Sequence, residues 1–335
     1  MNLSYSLLDH YETCQFRTKL FGFERVERVD GASDKLRSLI GDFAHTGQKA
    51  LILGQDVRTE LRRAAWKIER AALPPDFVEQ WPAARIVDRA CGMVARFSRS
   101  VPSFDYRDLE PVVYDQDLPD GVTHTPLVDA KLWVPLDPPI GIFKSLVLKP
   151  DLVCTNKVTG HTWLYDWKWA GALDEPDAFR YDLQSVIYQW GLKQLGIKVV
   201  GHAIVQGLIE EPTPFKVTKK GAISRAAVRN SWEEYERVCR GLGQPADEMM
   251  RAKLAPMFRH HTNFRSLKEV EAVWHETIVP KALAISRSAV SSGFPRRWAK
   301  FICTRCPVRE DCSDGQLQHH EDRRFNSIYL AAEVK

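Results

Sequence analysis

Apolar residues recur at helical spacing through most of the first 100 residues. The pattern predicts a short helix over residues 6–16, with Ser6 as its N-cap, and mostly helical structure over residues 34–70. A break is expected near Gly54, because glycine weakens a helix interior. A further helix is predicted over residues 83–97. The front of the chain is therefore expected to be rich in helices.

The pattern changes to one typical of strands between residues 142 and 169. Two apolar runs, FKSLVLKPDLVCT and HTWLYDWKWA, flank the turn-like sequence NKVTG, which predicts a β-hairpin. A helix over residues 176–195 and a strand over residues 198–208 are expected next. Helical spacing then returns over residues 225–253 and 267–291.

These elements predict an α/β fold in which a sheet is flanked by helices. We divide the chain into a helical N-terminal part (1–100), a central core (101–215) and a helical C-terminal part (216–335), interpreted as one interrupted domain. A chain of 335 residues with 44% hydrophobic content can bury a full core.

Net charge changes this picture little, because lysine and arginine exceed aspartate and glutamate by only 47 − 43 = 4. The basic residues are nonetheless clustered. The clusters are Arg62, Arg63, Lys67 and Arg70; Lys216, Lys219 and Lys220; and Arg296, Arg297 and Lys300. Each is either a solvated helix face or a phosphate-binding stripe.

Sequence signals for membranes and motors are also missing. No apolar run approaches the roughly 20 residues that cross a bilayer, and the opening MNLSYSLLDHYETC lacks the layout of a signal peptide. We expect a cytoplasmic protein with no membrane partner. The chain has no GxxxxGK[ST] motif, so any helicase would be a separate partner.

Two acids and a lysine on the predicted hairpin suggest metal-dependent chemistry. Asp151 lies on its first arm and Asp166 on its second, so antiparallel pairing can bring both carboxylates to one end of the sheet. Lys168 points the same way as Asp166, while Trp167 faces the core. Hydrolysis of a phosphodiester needs a divalent ion such as Mg²⁺ or Mn²⁺, which takes oxygen ligands. An isolated pair of this kind would more often be an ordinary surface ion pair.

The order of three motifs gives these residues a family context. KPD ends at Asp151, YDWKW carries Asp166 and Lys168, and QSVIY carries Gln184 and Tyr188. This series resembles the PD-(D/E)XK nuclease superfamily, in the branch of RecB-like and CRISPR-associated RecB-like exonucleases. The resemblance implies a restriction-endonuclease-like fold, in which a mixed sheet core is flanked by helices. It also implies metal on the two acids, attack assisted by the lysine, and the Gln and Tyr supporting the site or contacting DNA.

The resemblance extends upstream to GDFAH, residues 41–45, which matches a GxxxH motif whose histidine binds metal. It implies His45 as a third ligand, and an imidazole makes Mn²⁺ a credible activator beside Mg²⁺. Gly41 would let this helix approach the sheet closely. Leu148 stands where the family often has glycine, a departure that concerns backbone packing. Glu110 is a candidate supporting carboxylate, with an exposed surface position as the default.

Three of the seven cysteines lie close together in CTRCPVREDC: Cys303, Cys306 and Cys312. A thiolate cluster of this sort needs a fourth ligand. RecB-like nucleases with an iron–sulfur cluster take one cysteine from near the N-terminus, and the resemblance assigns that place to Cys14. It implies a [4Fe-4S] cluster that clasps the two chain ends, while Zn²⁺ is the alternative metal for four thiolates.

The favoured interpretation is a metal-dependent deoxyribonuclease, an exonuclease acting on DNA with single-stranded ends in recombination, repair or phage DNA metabolism. A helicase or recombination protein is a possible partner. Two alternatives stay open: a DNA-binding scaffold with a degenerate nuclease site, and a site-specific endonuclease that shares the same core.

Overall fold

The computed structural model describes residues 1–15, 18–19, 32–70, 79, 81–100, 106–118, 121–175 and 177–291. The helices are α1 (Tyr5–Thr13), α2 (Ala32–Ile52), α3 (Val57–Arg70), α4 (Ala83–Ser100), α5 (Leu183–Gln194), α6 (Trp232–Gly241), α7 (Leu267–Val273) and α8 (Val279–Val290). The strands are β1 (Asn2–Leu3), β2 (Leu109–Pro111), β3 (Val113–Leu118), β4 (Gly121–Pro126), β5 (Leu132–Ile140), β6 (Phe143–Leu148), β7 (Leu152–Asn156), β8 (Thr162–Ala170), β9 (His202–Leu208), β10 (Val228–Arg229), β11 (Leu254–Ala255) and β12 (Phe258–Asn263).

The helix-rich front of the chain is confirmed, with one correction at its start. Helix α1 is capped by Ser4, whose extended backbone lets its hydroxyl accept a hydrogen bond from the Leu7 amide. The prediction of Ser6 as the cap was wrong, because Ser6 lies inside the first turn. Helices α2 and α3 are separated near Gly54, as predicted, where a φ of 67° favours glycine.

Helices α2, α3 and α4 pack on one another through an apolar cluster. Its buried members include Ile40, Phe43, Leu61, Ile86 and Met93. The approach of α2 to α4 is close, because a Cβ on Gly47 would lie 2.7 Å from Val94. This helical layer also contacts strand β8 through Trp169.

The central sheet has five strands in the order β12-β9-β8-β7-β2. Strand β8 pairs in parallel with β9 and antiparallel with β7, while the two outer pairings are antiparallel. The sheet is therefore mixed, as predicted, and the hairpin of β7 and β8 forms its middle. Strand β12 extends one edge with residues 258–263, beyond the predicted core boundary at residue 215.

A second sheet, in the order β1-β6-β5, lies beside the first. The apolar run FKSLVLKPDLVCT divides at residues 149–151, so that β6 joins this sheet and only β7 enters the predicted hairpin. Helix α5 packs tightly on β6, because a Cβ on Gly191 would lie 2.6 Å from Leu148. The division leaves residues 149–151 as the crossing between the two sheets.

The C-terminal prediction was partly wrong. Residues 225–253 form β10, the ten-residue α6 and a 3-10 segment, Glu248–Lys253, where one long helical region was expected. Ser231 caps α6, and Gly243, with a φ of 66°, follows its end. The predicted helix over residues 267–291 is confirmed as α7 and α8, joined by a π-helical segment. No helix among the described residues is long and apolar enough to cross a membrane.

Candidate active site

The turn between the two sheets brings the two predicted acids together. Leu152 pairs with Tyr165, so Asp151, just before β7, lies opposite Asp166 on β8. Oδ2 of Asp151 accepts a hydrogen bond of 2.6 Å from the backbone amide of Trp167. Strand register therefore holds Asp151 against the segment that carries the other acid and the lysine.

Strand alternation places Asp166 and Lys168 on the same face, as predicted. Lys168 Nζ lies 2.7 Å from Asp166 Oδ2, and Asp166 is only 4% exposed. Trp167 points to the opposite face, where its ring packs edge-on against Phe97 with centroids 6.2 Å apart. Although burial lowers the pKa of Lys168, the charge and hydrogen bond of Asp166 raise it above its ordinary value. The ammonium is therefore charged at neutral pH.

Helix α5 supplies the glutamine and tyrosine to the same group. Lys168 donates a 3.0 Å hydrogen bond to Gln184 Oε1. Gln184 Nε2 lies 3.4 Å from Asp166 Oδ1 and 3.2 Å from the hydroxyl of Tyr188. That hydroxyl donates to the carbonyl of Lys149 at 3.1 Å. One continuous network thus links Asp166, the ammonium and the crossing between the sheets.

His45 approaches from the helical layer. Its Nδ1 lies 3.5 Å from Asp151 Oδ1. Burial lowers the pKa of His45, against the opposing effect of Asp166, so the imidazole is neutral and able to bind a metal. The expectation that Gly41 allows its helix to approach the sheet closely was wrong. A Cβ at this position would meet Trp169 Cβ at 3.9 Å, which is an ordinary contact distance.

The donor set suits a divalent cation in its chemistry. Burial, followed by the charge of Asp166, raises the pKa of Asp151 well above its ordinary range. A cation beside both acids would offset that repulsion. The 3.5 Å between His45 and Asp151 is close to the roughly 3 Å that separates neighbouring ligands of an octahedral Mg²⁺ site. Within the described ranges, however, no three His, Cys, Asp or Glu side chains form a complete metal-binding group.

Asp129 and Lys149 lie next to the site and form an ion pair that was not predicted from the sequence. Asp129 has a φ of 52°, uncommon for a residue other than glycine, and its amide donates to the carbonyl of Asp151 at 2.8 Å. Lys149 Nζ lies 2.8 Å from Asp129 Oδ1, and Lys49 Nζ lies 3.7 Å from Oδ2. Lys149 was visible within KPD, but no local pattern marks Asp129.

The acids of this region also influence the phenol of Tyr5. Burial raises the pKa of its phenol, and the negative charges of Asp182, Asp9 and Asp166 raise it further. The phenol is therefore neutral at all pH values of interest. Asp182 caps α5 by accepting a 2.9 Å hydrogen bond from the Gln184 amide, which fixes the end of the helix next to the site.

The remaining predicted residues lie elsewhere. Glu110 is exposed and pairs with Thr155, four positions along β7 from Asp151, or about 13 Å. Cys14 is partly buried and follows the end of α1. Its three predicted partners, Cys303, Cys306 and Cys312, lie outside the described residues.

A mixed sheet flanked by helices, with two acids and a lysine at its centre, is the arrangement expected of a PD-(D/E)XK nuclease. A family model described as the PD-(D/E)XK nuclease superfamily matches residues 2–313. The chain therefore belongs to that superfamily, and the fold is consistent with the restriction-endonuclease-like architecture predicted above. Membership implies a metal-dependent nuclease. No curated protein matches the chain.

Proposed function

We propose that this protein is a RecB-like exonuclease that hydrolyses DNA from single-stranded ends. The observation that carries the proposal is the hydrogen-bonded group of Asp166, Lys168 and Gln184 beside the pair of His45 and Asp151. A nuclease site requires anionic ligands, a nearby cationic donor and a support that holds both. The group combines these three features at one point of the sheet.

His45, Asp151 and Asp166 would hold Mg²⁺ or Mn²⁺. The bound ion would neutralise the scissile phosphate and lower the pKa of the attacking water. Asp151 keeps its position through the amide of Trp167, which leaves Oδ1 facing His45. Asp166 Oδ2 holds the ammonium of Lys168 at 2.7 Å, so a cationic donor lies directly beside the residues that would hold the ion.

Lys168 acts in this proposal as a charged donor. Burial lowers the pKa of Lys168, but Asp166, 2.7 Å from the ammonium, raises it, which favours the role of a charged donor over that of a general base. The ammonium instead orients the attacking water or stabilises the charge that develops on phosphate oxygens. Gln184 fixes the ammonium by accepting one of its protons, and Tyr188 fixes Gln184.

A [4Fe-4S] cluster on Cys14, Cys303, Cys306 and Cys312 is a separate part of the proposal. It is supported by the CxxC spacing and by the likeness to iron–sulfur RecB-like nucleases. A role in recombination, repair or phage DNA metabolism, a helicase partner and a cytoplasmic location are further parts of the proposal. Anaerobic purification with analysis of iron, sulfide and zinc tests the cluster, and one zinc per chain without iron would contradict it.

The activity is tested with linear and covalently closed single-stranded DNA of identical sequence in the presence of Mn²⁺. We expect mononucleotides or short products from the linear form and no cleavage of the closed circle. Cutting of the circle would contradict the exonuclease assignment and indicate an endonuclease. Lys168→Met should reduce hydrolysis to a slow residual rate, while the exposed control Lys198→Met should keep full activity.

A further inference from the structure

Two surface segments from distant parts of the sequence meet beside the candidate site. One is the turn from residue 177 to 182 that enters α5, and the other is residues 263–265 at the end of β12. Asn263 Nδ2 donates a 2.8 Å hydrogen bond to the carbonyl of Phe179, and the guanidinium of Arg265 donates to the carbonyl of Arg180. These bonds hold the two segments side by side.

The two segments carry exposed aromatic side chains. Tyr181 is 79% exposed and Phe264 is 66% exposed, the highest values for aromatic residues in the described part of the chain. Phe264 is held by an edge-on contact with Trp163, with centroids 5.4 Å apart. The guanidinium of Arg180 lies 5.7 Å from the centre of the Tyr181 ring. We call Arg180, Tyr181, Phe264 and Arg265 the aromatic rim.

The aromatic rim lies next to the group of Asp166, Lys168 and Gln184. Tyr181 directly precedes Asp182, which caps the helix that carries Gln184. Three residues of extended chain span at most about 11 Å, so Tyr181 cannot lie far from Gln184. Phe179, in the same turn, lies 5.8 Å from the ammonium of Lys168. A strand bound at the site would therefore pass close to the aromatic rim.

The chemistry of the aromatic rim fits unpaired bases. Exposed rings offer faces on which bases stack, and two arginines add positive charge for the backbone. Bases within a duplex present their edges to protein, because their faces are already stacked. An aromatic platform therefore favours a single strand over a duplex.

We propose that the aromatic rim binds the unpaired bases next to the scissile phosphate and so selects single-stranded DNA. The inference rests on the proposed nuclease function for its substrate. It adds specificity residues, Tyr181 and Phe264, that lie outside the motifs of the sequence.

Fluorescence anisotropy with labelled oligothymidylate, in EDTA to prevent cleavage, tests the aromatic rim on the full chain. Stacking is worth about 1–3 kcal/mol per base, so Tyr181→Ala should weaken binding about 5-fold or more. Tyr181→Phe keeps the ring and should bind as the wild type does. Trp133→Ala, at an exposed aromatic residue on β5, is the matched control and should have no effect.

An oligonucleotide with abasic positions separates stacking from charge. On this probe the difference between wild type and Tyr181→Ala should disappear, because no base is left to stack. Equal loss on the intact and abasic strands would overturn the proposal, as would unchanged binding by Tyr181→Ala and Phe264→Ala or no binding by the wild type.

The same proteins distinguish failure of the aromatic rim from failure of the proposed function. Hydrolysis by the wild type with an unchanged KM in Tyr181→Ala would refute the aromatic rim and leave the nuclease intact. Base-dependent binding through Tyr181 without any metal-dependent hydrolysis would support the aromatic rim and refute the nuclease.

Discussion

Replacing Gln184 by methionine removes the hydrogen bonds of this side chain while keeping its length. Lys168 then loses an acceptor at 3.0 Å, and Asp166 loses a donor at 3.4 Å. A hydrogen bond to a charged group contributes about 1.5–3 kcal/mol, and the shorter bond to Lys168 should dominate. We therefore expect kcat to fall about 10- to 100-fold, since each 1.4 kcal/mol is tenfold.

The assay is single-turnover hydrolysis of an end-labelled single strand, which isolates the chemical step. Gln194→Met makes the same chemical change at an exposed position of the same helix, and it should keep full activity. In a Lys168→Met background, Gln184→Met should have little further effect, because its main partner is gone. Full activity of Gln184→Met, or independent effects of the two changes, would refute the positioning role.

Two further predictions concern stability. Gly207→Ala places a Cβ 2.5 Å from the Trp169 ring and 2.8 Å from the Phe258 ring. Urea unfolding should therefore show that the free energy of unfolding falls by about 1–3 kcal/mol. The control Gly171→Ala, which has no neighbour within 4 Å, should change it little. His202 is fully buried, and burial lowers the pKa of its imidazole from 6.5 to about 4. The unfolded chain gains this proton first as the pH falls, so stability should decrease below pH 6.5, by about 2 kcal/mol at pH 5 from this group. His202→Leu should show a correspondingly smaller loss between pH 7.5 and pH 5 in urea unfolding, and an equal loss would contradict the assignment.

The parts of the site that were predictable follow from local geometry. Side chains alternate along a strand, so Asp166 and Lys168 had to share a face once β8 was recognised. Residues four apart share a helix face, which placed Gln184 and Tyr188 together. Both relations hold over a few residues and need no knowledge of the tertiary fold.

The parts that were not predictable depend on contacts between distant segments. The run FKSLVLKPDLVCT is apolar on both sides of Asp151, so nothing local shows that it serves two sheets. Asp129 follows Val128, which pairs with Leu152, and it forms an ion pair with Lys149 at the crossing between those sheets. The sequence around Asp129 has no distinctive pattern. Exposure of Tyr181 likewise becomes visible only in the folded chain.

The most direct test of the central claim is the dependence of DNA hydrolysis on a divalent ion and on the two acids. The wild type should hydrolyse linear single-stranded DNA with Mn²⁺ or Mg²⁺ and stop in EDTA. Asp151→Asn and Asp166→Asn should each reduce the rate at least about 100-fold at equal stability. The exposed control Asp177→Asn should match the wild type. Undiminished hydrolysis by both asparagine variants, or by the wild type in EDTA, would contradict the account.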